Sequence, residues 1–142
     1  MNEKPPEVQS GLAASQRPAA LRKKILLVED HAPTRSSLGF LLGRRGFTVI
    51  GVGTVEAALG EASRQAFDVV LSDIGLPDGN GFALMRLLAQ RHGLTGIALT
   101  GYDDDALSQS TEAGFTAHLT KPIDVRLLDE ALAKFFLKER AS

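Results

Sequence analysis

The chain has no cysteine, which excludes disulfides, thiolate catalysis and cysteine-based zinc sites. Long hydrophobic runs are missing as well. None approaches the roughly 18 apolar residues that a transmembrane helix requires. The first residues lack the apolar core of a secretory signal, so we expect a cytoplasmic protein with no membrane insertion of this domain. Neither sign of charge dominates: 16 basic and 17 acidic residues leave a formal net charge of −1. A nucleic-acid binder shows a basic excess or stripe, and none is visible, so no nucleic-acid partner is expected. No two histidines have zinc spacing, and the glycine-rich GLPDGNG (75–81) lacks the Lys-Ser/Thr pair of a nucleotide-binding loop.

What remains is an ordinary globular composition, 44% hydrophobic and 23% charged over 142 residues, enough for one domain with a real core. Residues 1–22 differ from the rest. They are rich in Pro, Ala, Ser, Gln and Glu, without a sustained apolar period, and read as a tail or linker. The alternative is a short helix near 11–20 that packs on a neighbour.

From Lys23 onward, strand and helix patterns alternate. KKILLV (23–28) is a continuous apolar run, typical of a strand buried on both faces. Pro33 suits a helix start, and Leu38, Leu41 and Leu42 form its apolar stripe before Gly46. FTVIGV (47–52) reads as the second strand. Thr54 is a candidate N-cap for a helix with Val55, Ala58, Leu59 and Ala62 in phase. FDVVLSD (67–73) is the third strand, and the loop 75–81 leads to a helix with Phe82, Met85, Leu88 and Ala89 inward. GIALT (96–100) and TAHLT (116–120) are the fourth and fifth strands, separated by a weaker helix over 104–113. The last helix starts near Asp124 and is expected to bury Val125, Leu128, Leu132, Phe135 and Phe136. Such alternation implies a parallel sheet with right-handed crossovers.

In that architecture the carboxyl ends of the strands share one edge, where ligands bind. Glu29 and Asp30 follow the first strand, Asp73 ends the third, Thr100 ends the fourth and Lys121 follows the fifth. Taken singly, each has a bland reading as a solvated strand end, a structural threonine or a surface lysine. Together they place three carboxylates, a hydroxyl and an ammonium at one edge. The carboxylates repel unless a cation intervenes. Mg²⁺ suits them, being a hard cation that takes oxygen ligands and keeps waters for a phosphate to replace. Asp73, at the end of the central strand with a turn-rich loop beyond it, is the expected nucleophile, because carboxylates accept phosphoryl groups. Thr100 can donate to a phosphoryl oxygen, and Lys121 can pair first with the carboxylate and then with the phosphate.

ILLVED, VVLSDIGLPDGNG, IALTGY and HLTKPI stand 43, 27 and 21 residues apart, counted from Asp30 to Asp73, to Thr100 and to Lys121. Residues 23–138 resemble a response-regulator receiver domain, and we take 23–142 as that domain. The resemblance implies a flavodoxin-like α/β fold: five parallel strands, doubly wound, in the order 2-1-3-4-5. It implies a two-component phosphoacceptor, not an enzyme beyond Mg²⁺-dependent self-phosphorylation and autodephosphorylation. The expected phosphate source is a histidine kinase, fused upstream through residues 1–22 or separate. A histidine-containing phosphotransfer protein is an expected further partner. Asp30 and Asp73 become direct Mg²⁺ ligands beside the Gly75 carbonyl, with Glu29 acting through water. A cis bond before Pro122 is implied too.

Two positions depart from the family pattern. His118 stands where Tyr or Phe usually acts as a rotamer switch coupled to the threonine. GFTAHLTKPID is most like the receivers of hybrid histidine kinases, in which this histidine is common. Gly75 stands where a larger side chain is frequent, which leaves the phosphoryl position open to water or to a partner's histidine. A stand-alone single-domain regulator or phosphate sink is the alternative. A Mg²⁺-dependent aspartyl-phosphate phosphatase needs a second carboxylate two residues after the nucleophile, and Gly75 occupies that place.

Overall fold

The computed structural model describes residues 22–101 and 111–141. The expected tail, apart from Arg22, and residues 104–110 of the weaker helix lie outside them. Of that helix, residues 111–113 are described and are helical.

The apolar runs form strands for a simple reason. Val, Ile and Leu runs of about five residues can hide both faces of a pleated ribbon only in the middle of a sheet. β1 (Lys24–Val28) and β3 (Val69–Asp73) do this, as does β6 (Gly96–Thr100). β2 (Thr48–Val52) and β7 (Phe115–Thr120) are the half-exposed edges. All pairings are parallel, in the order β2-β1-β3-β6-β7. With the two minor strands set aside, this is the expected 2-1-3-4-5 order and flavodoxin-like fold. Those minor strands, β4 (Gly75–Leu76) and β5 (Gly79–Asn80), form a two-residue antiparallel ribbon where the sequence suggested a plain loop. The third strand also begins later than FDV implied. The Asp68 carboxylate accepts from the Lys24 backbone N–H (2.7 Å), so its chain is anchoring β1 before the ladder starts.

Helices cover both faces of the sheet. α1 (Ala32–Arg44) and α4 (Val125–Ala141) flank a core that includes Ile25, Leu27, Leu42, Leu71, Ile97, Leu99, Leu128 and Leu132. α2 (Val55–Arg64) and α3 (Gly81–His92) cover the opposite face over Leu26, Val28, Val70, Met85 and Leu88. The α4 stripe differs from expectation at one place. Val125 is exposed, whereas Leu128 and Leu132 are buried. Asp124 caps the helix, accepting from the Arg126 N–H (2.8 Å), and Val125 in that first turn faces away from the sheet. Leu84, not expected inward, is fully buried.

The N-terminus of α2 is capped twice. Thr54 Oγ1 accepts from the Ala57 N–H (3.0 Å), as its N-cap position predicted. Asp78, arriving from the β4–β5 turn, accepts from the Val55 and Glu56 N–H groups (2.8 and 3.0 Å). The two side chains together satisfy donors that no helical carbonyl can reach, and they tie the loop after β3 to the neighbouring helix. Asp78→Ala should therefore lower the melting temperature by roughly 3–5 °C, as loss of a helix cap does. Thermal unfolding followed by circular dichroism checks this.

Candidate phosphoacceptor and metal site

The site begins where β1 leaves the sheet. The Glu29 N–H still donates to the Val52 carbonyl (2.9 Å), so Glu29 continues the ladder and its side chain is fully buried. One residue on, Asp30 is exposed. Asp73 closes β3 with 4% of its surface exposed. Single oxygens of Glu29, Asp30 and Asp73 all lie within 4.8 Å of one another.

Lys121 reaches into this cluster from the end of β7. Its Nζ donates to Glu29 Oε1 (2.9 Å) and stands 2.6 Å from Asp73 Oδ1. At that distance the buried carboxylate and the ammonium form a charge-assisted pair. The Lys121 N–H donates to the Thr100 carbonyl (2.7 Å), which locks the two strand ends together. The Lys121–Pro122 peptide bond is cis.

The electrostatics follow from crowding. Burial, and then the hydrogen bond and negative charge of Glu29, push the Asp73 carboxyl up to about 7, against the pull of Lys121. For Glu29, burial acts upward, but hydrogen bonds from Asp73, Lys121 and the His31 backbone outweigh it and leave its carboxyl below the usual range. Crowding thus favours the charged form of Glu29 and disfavours that of Asp73. Lys121 is pushed above its ordinary value: desolvation opposes this, and contacts with Asp73 and Glu29 overcome it.

The loop beyond Asp73 is built for close approach. A Cβ on Gly81 would overlap the Asp73 carbonyl, and the Gly81 N–H donates to the Ile74 carbonyl (2.6 Å). Asn80 then caps α3 by accepting from the Ala83 N–H (2.9 Å). Gly75 is exposed, with open space where a side chain would stand. Thr100 is buried at the end of β6. His118 is half-buried on β7 and registers with Ala98. Strand alternation places Thr100 and His118 on one face of the sheet.

Of the residues singled out in the sequence, Glu29, Asp30 and Asp73 cluster and Lys121 touches Glu29 and Asp73; Thr100 ends the strand beside that of Asp73, Gly75 follows Asp73 by two residues, and His118 stands further back on β7. His31 is exposed at the start of α1, with Nδ1 2.6 Å from Thr34 Oγ1. Arg35 was missed: its Nη1 donates to the Glu29 carbonyl (2.8 Å). Its signal was indirect, the Gly-x-Gly of 51–53 that makes room for it.

An acidic cluster with a central ammonium, at the carboxyl edge of a 2-1-3-4-5 sheet, defines a class of signalling domain. The family model for the response regulator receiver domain matches residues 25–133, and the chain belongs to that family. Its function is that of a phosphoacceptor in two-component signalling. The chain is 37% identical to the response regulator protein PilR of Pseudomonas aeruginosa, over 79% of this chain and 26% of that one. It is 32% identical to the sensor histidine kinase RcsC of Salmonella typhimurium, over 78% of this chain and 12% of the relative. The chain spans about a quarter of the first curated relatives it matches. Among solved structures, a CheY-like receiver domain protein of Methanospirillum hungatei superposes with a TM-score of 0.77 at 30% identity, over 85% of this chain and 99% of that one. No helix among the described residues is long and apolar enough to cross a membrane.

The raised Asp73 carboxyl yields a pH prediction for metal-free protein. Its folded value lies above its ordinary one, so its contribution to stability is complete only below the ordinary carboxylate value and is lost as pH rises from there through about 7. Asparagine mimics the protonated acid at every pH. In the presence of EDTA, Asp73→Asn should match the wild type near pH 3. At pH 8 it should be more stable by on the order of a few kcal/mol, each unit of displacement being worth about 1.4 kcal/mol. Denaturant unfolding at the two pH values checks this.

Proposed function

We propose that Asp73 accepts a phosphoryl group from a phosphohistidine in a Mg²⁺-dependent reaction. The observation that carries this reading is the convergence of Glu29, Asp30 and Asp73 oxygens within 4.8 Å of one another, with one ammonium, Lys121, 2.6 Å from Asp73. Three carboxylates against one ammonium leave room for a further cation. The three carboxylates are hard oxygen donors, which fits Mg²⁺ better than a softer metal. Asp30 and Asp73 would hold it with the Gly75 carbonyl, and Glu29 would act through water, because its own oxygens are engaged by Lys121 and the His31 N–H (3.1 Å). When bound, Mg²⁺ would supply the neutralising charge to these carboxylates and polarise the phosphoryl oxygens.

The chain's own residues do the rest. One Asp73 oxygen attacks phosphorus and forms the new O–P bond. The N–P bond of the donor breaks, and its electron pair returns to the imidazole. Lys121 stands where it can follow the charge from carboxylate to phosphoryl group. Thr100 supplies a hydroxyl to a phosphoryl oxygen. Transfer of this kind depends on positioning and charge stabilisation more than on covalent chemistry by the protein. The empty space at Gly75 leaves the phosphoryl group reachable by water, for autodephosphorylation, and by an incoming histidine.

The kinase supplying the phosphate is read as one fused upstream through residues 1–22, with onward transfer to a histidine-containing partner in the cytoplasm. The match to the receiver portion of a sensor histidine kinase and the His118 segment support this reading. The phosphorylated switch is partial. A hydrogen bond from Thr100 to a charged oxygen contributes about 1.5–3 kcal/mol, and full conversion needs about 5.5 kcal/mol. A half-buried imidazole at 118 gains less from burial than a phenyl ring would.

Incubation with Mg²⁺ and a small acyl phosphate should add one phosphoryl group by mass spectrometry, and Asp73→Asn should add none. Undiminished labelling of that variant would remove the assignment. Calorimetric titration should show Asp30→Ala weakening Mg²⁺ binding more than Glu29→Ala. The reverse order would overturn the division between direct and water-mediated ligands.

A further inference from the structure

We infer that Arg35 is a positioning residue for the metal-binding arm, seated in a furrow that Gly51 and Gly53 leave open; the inference rests on the metal reading above. Of the three clustered carboxylates, Asp30 alone is exposed, and among the described residues nothing hydrogen-bonds its side chain. Glu29 and Asp73 are held by burial and by Lys121. The place of Asp30 in the cluster is therefore set by its backbone.

Arg35 holds that backbone through its side chain. Its guanidinium donates to the Glu29 carbonyl (2.8 Å), just before Asp30. Its own N–H, bonded to the His31 carbonyl (2.9 Å), closes the first turn of α1 as any residue there would and so fixes where the side chain departs. The furrow explains how a long side chain gets there. A Cβ at Gly51 would come within 3.1 Å of Arg35 Cγ, and one at Gly53 within 2.9 Å of Nη1 and 3.7 Å of the Asp30 Cα. Any larger residue at 53 competes with the guanidinium for the same space. The aliphatic stem thus lies along the end of β2 while the planar head fixes the turn out of β1. Groups that orient a metal's ligands without touching the metal typically change affinity by about 10–100-fold when removed.

The test compares wild type, Arg35→Met, Arg35→Lys and Gly53→Ala, using Mg²⁺ titration calorimetry and metal-free hydrogen exchange at the His31 amide. Arg35→Met keeps the stem and loses the donor, and should weaken Mg²⁺ binding about tenfold and speed His31 exchange. Gly53→Ala keeps the arginine but displaces its head, and should move both readouts the same way. Arg35→Lys, retaining a donor, should recover part of the loss. Exchange at the buried amides of β3 and β6 should stay at wild-type rates, which separates positioning from general destabilisation. Mg²⁺ affinity within twofold of wild type in both Arg35→Met and Gly53→Ala would overturn the inference. If wild type binds no Mg²⁺, the metal reading fails by itself. The exchange data then decide alone, and unchanged His31 protection in both variants overturns the positioning role.

Discussion

Two carboxylates taken out of water a few ångströms apart cannot both keep their charge without help, and the ammonium of Lys121 provides it. Its contacts with Glu29 and Asp73, at 2.9 and 2.6 Å, join groups 92 and 48 residues apart in the chain. In a site of low effective dielectric such contacts are far stronger than at a surface, but desolvation of three charges works against them. The balance leaves three carboxylates around one ammonium and the Asp73 carboxyl pushed up to about 7. This is a site kept short of positive charge. A cation and a phosphoryl group can complete it together, because one offsets the other.

The sheet makes this incomplete cluster reproducible. Parallel pairing aligns the strand ends, so that Glu29, Asp73, Thr100 and Lys121 arrive at one edge from four different strands. The turns that follow are tied back by short polar links. Arg35 holds the turn out of β1, Asp78 ties the turn out of β3 to α2, and the Lys121 N–H bonds the end of β6. On the helical side, the Arg45 guanidinium grips Asp129 through two hydrogen bonds of 2.8 and 3.1 Å, joining α1 to α4. Asp73 therefore sits on rigid elements, while the Gly75 position beyond it is bare. Under the proposed phosphotransfer, that asymmetry would leave the group reachable by a partner's histidine.

Much of this was legible in the sequence because each strand was announced by a continuous apolar run, and each run ended in one polar residue of a kind the chemistry requires. Periodicity placed the helices, and Thr54 declared itself as a cap. Other features were not legible. Val125 occupies an inward-looking position in the pattern yet is exposed in the first turn of α4, while Leu128 one turn on is buried. The 75–81 segment looked like a plain loop because its ribbon consists of only two residue pairs, too short for any alternation to appear.

The sequence by itself determined the fold class, the strand order through its family motifs, and which polar groups would share an edge, since these follow from local pattern and from the topology that parallel pairing imposes. Only the tertiary structure decided how those groups divide the work. That Glu29 is buried and engaged while Asp30 is exposed, that crowding raises the Asp73 carboxyl and lowers that of Glu29, and that an arginine on α1 finds its seat beside two glycines of β2 and its end are all outcomes of through-space contact. Desolvation and hydrogen-bond geometry depend on neighbours distant in the chain, and no local pattern of residues carries that information.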